Sequence, residues 1–127
     1  MTFTSLVVSG GGPIFFSMLG AMQELCRQDT AVFDHIESIY CTSAGAFVAI
    51  LFCLYQHWHL SWESITQYII QRPWQDILQV NIENIAKIYI TKGMYDIALF
   101  EKIMKPLFDT VDVSLQITLQ EFYEKTK

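Results

Sequence analysis

The amino-acid sequence predicts an α/β fold with a parallel sheet. Two short apolar runs, Ser5–Ser9 and Ile36–Cys41, have the length and composition of buried strands. Between them, apolar residues recur at helical spacing over Phe15–Cys26, and the nearly unbroken apolar stretch Ala44–Tyr55 predicts a helix buried on most sides. Strand, helix, strand, helix is a βαβα unit, whose strands lie parallel and whose crossover is right-handed.

The rest of the chain predicts helices from their end signals. Ser61 can cap a helix, and a second helix follows Asn81 and stops at Gly93. A third follows Asp96, and Pro106 should kink or end it. Thr118 to Glu121 form a capping-box pattern, but residues 113–119 also alternate as in a strand, so both interpretations stay open there.

Composition narrows the class of protein. The 127 residues carry a net charge of −5, with 52% hydrophobic and 17% charged residues. This high hydrophobic fraction and low charge exclude an intrinsically disordered chain. The sequence also contains no Lys/Arg cluster of the kind that binds nucleic acid. The longest apolar run, Ala46–Tyr55, is about half of a membrane span, and no basic residue precedes Arg27 as in a signal peptide. We therefore expect one domain, residues 1–127, in the cytoplasm, not secreted and with no transmembrane segment.

Three cysteines, Cys26, Cys41 and Cys53, lie in apolar stretches. We expect them to be buried free thiols, because a cytosolic protein seldom forms disulfides.

Ser43 follows the second strand and opens the buried helix. It lies between Cys41 and Gly45, and small residues at these positions let strand and helix backbones approach each other. A serine at such a strand-to-helix turn is a nucleophile elbow, and the helix N-terminus favours a developing anion. A plain capping serine is the alternative.

The first strand ends in Gly10, Gly11 and Gly12. The spacing does not fit a dinucleotide fingerprint, and no Gly-Lys-Ser/Thr follows as in a P-loop. Bare glycine amides at the carboxyl end of a strand can bind an oxyanion, whereas the alternative is a loose turn.

Together, Leu6–Pro13, Gly20 and Cys41–Ala46 make the sequence resemble the patatin-like phospholipase family. The resemblance implies a patatin-like parallel-sheet hydrolase fold and hydrolysis of lipid acyl esters, such as phospholipids. Ser43 would be the nucleophile, Gly10, Gly11 and Gly12 the oxyanion hole, and Cys41 and Gly45 the elbow neighbours. The family's Ser–Asp dyad needs no metal or other cofactor. Contact with a membrane surface is the expected partner interaction.

The chain departs from the family at several positions. Ile14 and Phe15 stand where the family usually has a basic residue and glycine, and the Asp-Gly motif that supplies the general base is missing. We therefore expect a domain truncated at its C-terminus, with an unknown base and a sheet that an oligomer or partner chain would complete. The alternative function is an inactive homologue that binds lipid or protein.

The histidines of the chain are not expected to replace the missing base. His57 and His59 should lie roughly 20 Å from Ser43 along one helix, and His35 should lie at the far end of its strand. Cys53, His57 and His59 have a spacing that could suggest metal, but we expect a helix end and no metal site.

Overall fold

The computed structural model describes residues 3–77 and 97–126, which divide into two compact units. The described part of the first unit is residues 3–66 and 119–126, and that of the second is residues 67–77 and 97–118. The helix expected between Asn81 and Gly93 lies outside the described residues.

The first unit holds the predicted βαβα arrangement. Its elements are β1 (Ser5–Val8), α1 (Phe15–Gln28), β2 (Ser38–Cys41) and α2 (Ala44–Trp58). The two strands are parallel, with Val8 opposite Cys41 in the register, so their carboxyl ends lie side by side. The α/β class and the parallel pairing are therefore confirmed.

The core of this unit lies where α1 and α2 meet. Buried residues of α1 follow the predicted helical spacing, namely Phe15, Leu19, Met22 and Cys26. Those of α2 are Gly45, Val48, Ala49, Leu51, Phe52 and Leu54. The Phe33 and Phe52 rings meet edge to face at 5.1 Å, which adds a directional aromatic contact to the apolar burial.

The expectation of fully buried strands is wrong. Val7 and Tyr40 are register partners on one face of the sheet, and they are 75% and 63% exposed. α2 packs against both strands, but it covers the face that carries the buried Val8. A parallel sheet is usually covered on both faces, and its strands are therefore apolar. Here the strands have this composition, but one face of the sheet is exposed.

Two further helix boundaries follow the sequence signals. α3 (Trp62–Ile70) begins after Ser61, whose hydroxyl accepts a hydrogen bond from the Ser64 amide at 3.2 Å. The C-terminal α6 (Leu119–Lys125) begins one residue after Thr118, so the helix is confirmed and the competing strand is wrong. The Phe122 ring of α6 stacks on Trp58 at 5.6 Å.

The second unit contains the end of α3, the short α4 (Trp74–Ile77) and α5 (Ile97–Thr110). α5 continues through Pro106, so of the two expected effects, a kink or an end of the helix, the end is wrong. Pro106 removes one backbone hydrogen bond, but Ile103, Met104, Leu107 and Phe108 bury one face of the helix around it. Tertiary burial outweighs the local cost of proline here.

Candidate active site

The turn between β2 and α2 holds Ser43 in a strained backbone conformation. Its φ is 51° and its ψ is −127°, a combination that residues other than glycine rarely adopt. The Thr42 amide donates to the Val8 carbonyl at 3.3 Å, which extends the sheet up to the serine. The Ala46 amide then donates to the Ser43 carbonyl at 2.9 Å, which starts the helix. Only two residues, Thr42 and Ser43, therefore separate the strand from the helix, and the exposed Ser43 lies at the bend.

Gly45 allows this bend because the first strand passes directly beneath it. A Cβ at this position would collide with the Val8 carbonyl oxygen and would lie 2.6 Å from the Ser9 carbonyl oxygen. Both obstacles are backbone atoms, which cannot rotate away as a side chain can. The requirement for a small residue two positions after the serine therefore has a direct cause in the packing.

Cys41 does not behave as the sequence suggested. It is exposed at the carboxyl end of β2, not buried, although it is a free thiol as expected. This end of the strand lies next to the turn that carries Ser43. Cys26 is buried, and Cys53 is partly buried on α2. Burial is the main cause that raises the pKa of the Cys53 thiol to about 11, and Cys41 adds to it.

The glycine loop lies against the serine. A Cβ on Gly10 would lie 3.0 Å from the Ser43 Cβ and 3.3 Å from the Thr42 carbonyl oxygen. Gly12 has a positive φ of 52° and open space around it. The Gly11 carbonyl accepts from the Ile14 amide at 3.1 Å, which closes a short 3-10 turn over Gly12–Ile14. Within the described ranges, no backbone acceptor is recorded for the amides of Gly10 and Gly11.

The loop is fixed to the helices by an aromatic anchor. Phe15, the first residue of α1, is buried and meets Phe47 of α2 edge to face at 6.4 Å. Its neighbours Ile14 and Phe16 remain exposed. The helix that follows the loop is thus packed, at its first residue, against the helix that follows the elbow.

No general base is evident beside the serine. Among the described residues, no side chain forms a hydrogen bond with the Ser43 hydroxyl. The segments that build the site, residues 3–23 and 38–62, contain no Asp or Glu. Asp29 instead accepts from the Ala31 amide at 3.0 Å, and Asp109 pairs with Lys105 at 2.8 Å. Asp96 lies outside the described residues.

The two histidines at the end of α2 lie far from Ser43 along the helix. α2 runs unbroken from Ala44 to Trp58, so His57 is fourteen residues and roughly 20 Å along the helix from Ser43. His59 ends the helix in a left-handed conformation, with φ 55°. Burial lowers the pKa of His57, with a further contribution from His59. In the part of the chain that the structure describes, no group of three or more His, Cys, Asp or Glu side chains could hold a metal ion.

A parallel sheet with a strained serine at its strand-to-helix turn, beside a glycine loop, is an arrangement typical of α/β hydrolases. Residues 6–120 match the family described as patatin-like phospholipase. The chain therefore belongs to the patatin-like phospholipase family, which is a family of lipid hydrolases, and its α/β fold agrees with that membership. No curated protein and no solved structure matches the chain. Over residues 3–77 and 97–126, none of the helices combines the length and apolar character needed to cross a membrane.

Proposed function

We propose that the protein is a serine hydrolase of lipid acyl esters, with Ser43 as its nucleophile. The observation that carries this proposal is the strained φ of 51° at Ser43, because such strain persists only where the surrounding structure enforces it. Gly45 provides that enforcement by letting β1 pass beneath the turn. A serine that merely capped a helix would need neither feature, and no capping bond from the Ser43 side chain is recorded.

In this reaction the Ser43 Oγ attacks the carbonyl carbon of the ester and loses its proton. The carbonyl oxygen becomes an oxyanion, which the amides of Gly10, Gly11 and Gly12 stabilise. The bond between the carbonyl carbon and the alkoxy oxygen then breaks, and the alcohol leaves with a proton. Water hydrolyses the acyl-serine, which releases the fatty acid and restores the hydroxyl. Stabilisation by one oxyanion donor is typically worth about 10²–10³-fold in rate.

The proton acceptor lies outside the two segments that build the site. General-base help contributes about 10²–10⁴-fold, so we expect slow turnover by this chain alone. A small external base such as imidazole should then accelerate the reaction, because it can occupy the space beside an unpartnered serine hydroxyl.

Hydrolysis of a soluble nitrophenyl ester tests the proposal, with Ser43→Ala and Ser5→Ala compared with the unchanged protein. Ser5 is an exposed serine at the opposite end of β1, so Ser5→Ala is a matched control that should keep full activity. We expect turnover, and its acceleration by imidazole, to disappear only in Ser43→Ala. Turnover that survives in folded Ser43→Ala would refute the nucleophile assignment. Rapid turnover without imidazole would refute the claim that the site lacks a general base.

A binding function without catalysis is the second candidate. The observation in its favour is the same absence of a recorded hydrogen-bond partner for the Ser43 hydroxyl among the described residues. Folded protein that binds lipid, but shows no Ser43-dependent turnover with or without imidazole, would favour this candidate.

A further inference from the structure

Two exposed apolar side chains lie beside the glycine loop, one on each side of the buried Phe15. Ile14 is 59% exposed and Phe16 is 43% exposed, and we call this pair the rim. Ile14 is held close to the loop, because a Cβ on Gly11 would lie 3.1 Å from the Ile14 Cβ. Since a Cβ on Gly10 would in turn lie 3.0 Å from the Ser43 Cβ, Ile14 is linked to the serine through two adjacent residues of the loop.

The rim is held in place rather than free to fold inward. Phe15, between the two rim residues, is buried against Phe47, and its ring also meets that of Phe16 at 5.3 Å. The Ile14 amide is tied to the Gly11 carbonyl by a hydrogen bond of 3.1 Å. An apolar residue on each side of a buried anchor therefore faces outward, where it loses the stabilisation that burial would give.

The sequence segments around the rim contain no charged residue. Residues 3–23 and 38–62, which include the loop, the elbow and most of α1 and α2, contain no Asp, Glu, Lys or Arg. The whole chain has a net charge of −5. An anionic surface would therefore meet neither a basic patch at this site nor a favourable overall charge, whereas an uncharged acyl surface would meet apolar side chains.

We propose that the rim is the contact by which the protein engages the acyl region of uncharged or zwitterionic lipid, delivering the ester to Ser43. This inference rests on the proposed function for the fate of the ester, but the contact itself does not depend on catalysis. Ile14 and Phe16 enter the acyl region at the lipid surface, and apolar burial, not charge, provides the binding free energy. A class of substrate follows: long-chain esters in a neutral or zwitterionic surface are preferred over anionic lipids.

Vesicle binding tests this contact without any variant. Binding to phosphatidylcholine vesicles should stay unchanged between about 0.1 M and about 1 M salt, although the Debye length falls from about 10 Å to about 3 Å. Replacing part of the phosphatidylcholine with phosphatidylglycerol should leave binding equal or weaker. Binding that requires phosphatidylglycerol and is lost at high salt would overturn the proposal, as would no binding to phosphatidylcholine.

Variants then assign the contact to the rim. Ile14→Ser and Phe16→Ser should each weaken partition into phosphatidylcholine vesicles on the order of tenfold. Leu25→Ser is the matched control, because Leu25 is 46% exposed near the other end of α1. Val7→Ser tests the exposed face of the sheet. A loss in Leu25→Ser or Val7→Ser as large as in the rim variants would overturn the assignment.

Ser43→Ala separates this inference from the proposed function. It should bind vesicles like the unchanged protein, even though its turnover is lost. Vesicle binding that follows the rim, in a protein without Ser43-dependent turnover, would refute the proposed hydrolysis and support the lipid contact. The opposite pattern, turnover of a soluble ester with no rim-dependent binding, would refute the lipid contact alone.

Discussion

Replacing Gly45 with alanine should destabilise the protein by disrupting the contact between β1 and the start of α2. The added Cβ would lie 2.6 Å from the Ser9 carbonyl oxygen, which is 0.8 Å short of the 3.4 Å at which ordinary contact begins. The Val8 carbonyl oxygen is nearer still. Because both atoms belong to the backbone, the helix as a whole has to move away from the strand.

The expected magnitude follows from the cost of overpacking. Extra methyl groups in a packed interior typically cost about 1–3 kcal/mol, and a backbone obstacle places Gly45→Ala near the upper end, at about 3 kcal/mol. That is a large share of the about 5–15 kcal/mol by which domains are usually stable. Gly20→Ala is the matched control. Gly20 lies in α1 with no neighbouring atom within 4 Å of a Cβ, so alanine should raise stability by about 0.5–1 kcal/mol.

Urea unfolding followed by far-ultraviolet circular dichroism measures both effects. The two variants carry the same chemical change, so they should shift the midpoint in opposite directions. A midpoint for Gly45→Ala equal to that of the unchanged protein would refute the close passage of β1 beneath the elbow. A loss of stability as large in Gly20→Ala would show that glycine itself, and not the packing, causes the effect.

Three further predictions concern the loop and the thiols. Gly10→Ala should reduce Ser43-dependent turnover by about 10²-fold, because its Cβ would lie 3.0 Å from the Ser43 Cβ. In Gly12→Ala the added Cβ has no neighbouring atom within 4 Å, and only the positive φ of this position is unfavourable. Equal turnover in Gly10→Ala and the unchanged protein would contradict the contact. The exposed Cys41 should be alkylated by iodoacetamide well before Cys53, as peptide mass spectrometry can follow. Since burial raises the pKa of Cys53 from 9.0 to about 11, this thiol contributes stability that is present in full below pH 9.0 and lost as the pH rises to about 11. A midpoint of unfolding that rises over this interval, with Cys53→Ala as the comparison, would contradict the assignment.

The elements that follow from local rules were predicted well from the sequence. Small residues around Ser43 predicted the turn, and the structure supplies the reason, which is the β1 backbone beneath Gly45. Ser61 marked the start of α3 because its hydroxyl can satisfy a free amide there. Such signals involve only a few neighbouring residues, so they are legible along the chain.

Properties that depend on distant neighbours were predicted less well. Val7 and Tyr40 have the composition of buried strands, but their exposure depends on which face of the sheet α2 covers. Cys41 lies in an apolar run and is exposed although its register partner Val8 is buried, so the face of the sheet alone does not decide its exposure. Pro106 is unfavourable in a helix by local rules, yet the burial around it holds α5 together to Thr110.

The candidate site shows the same division. Ser43 and the glycine loop could be proposed from the sequence because each has a local pattern, and the proximity of Gly10 to Ser43 became visible only in the structure. The rim of Ile14 and Phe16 was missed, because side chains next to the buried Phe15 gave no sequence signal of their exposure. The absence of charge over residues 3–23 and 38–62 was present in the sequence and could have pointed to it.

Covalent labelling tests the central claim, that Ser43 is a nucleophile built by the elbow. The folded protein is treated with a fluorophosphonate, and the modified residue is located by peptide mass spectrometry, beside Ser43→Ala and urea-unfolded protein. We predict slow labelling confined to Ser43, absent from Ser43→Ala and from the unfolded chain. Folded protein that acquires no adduct on Ser43, or labels there no faster than the unfolded chain, would contradict this claim.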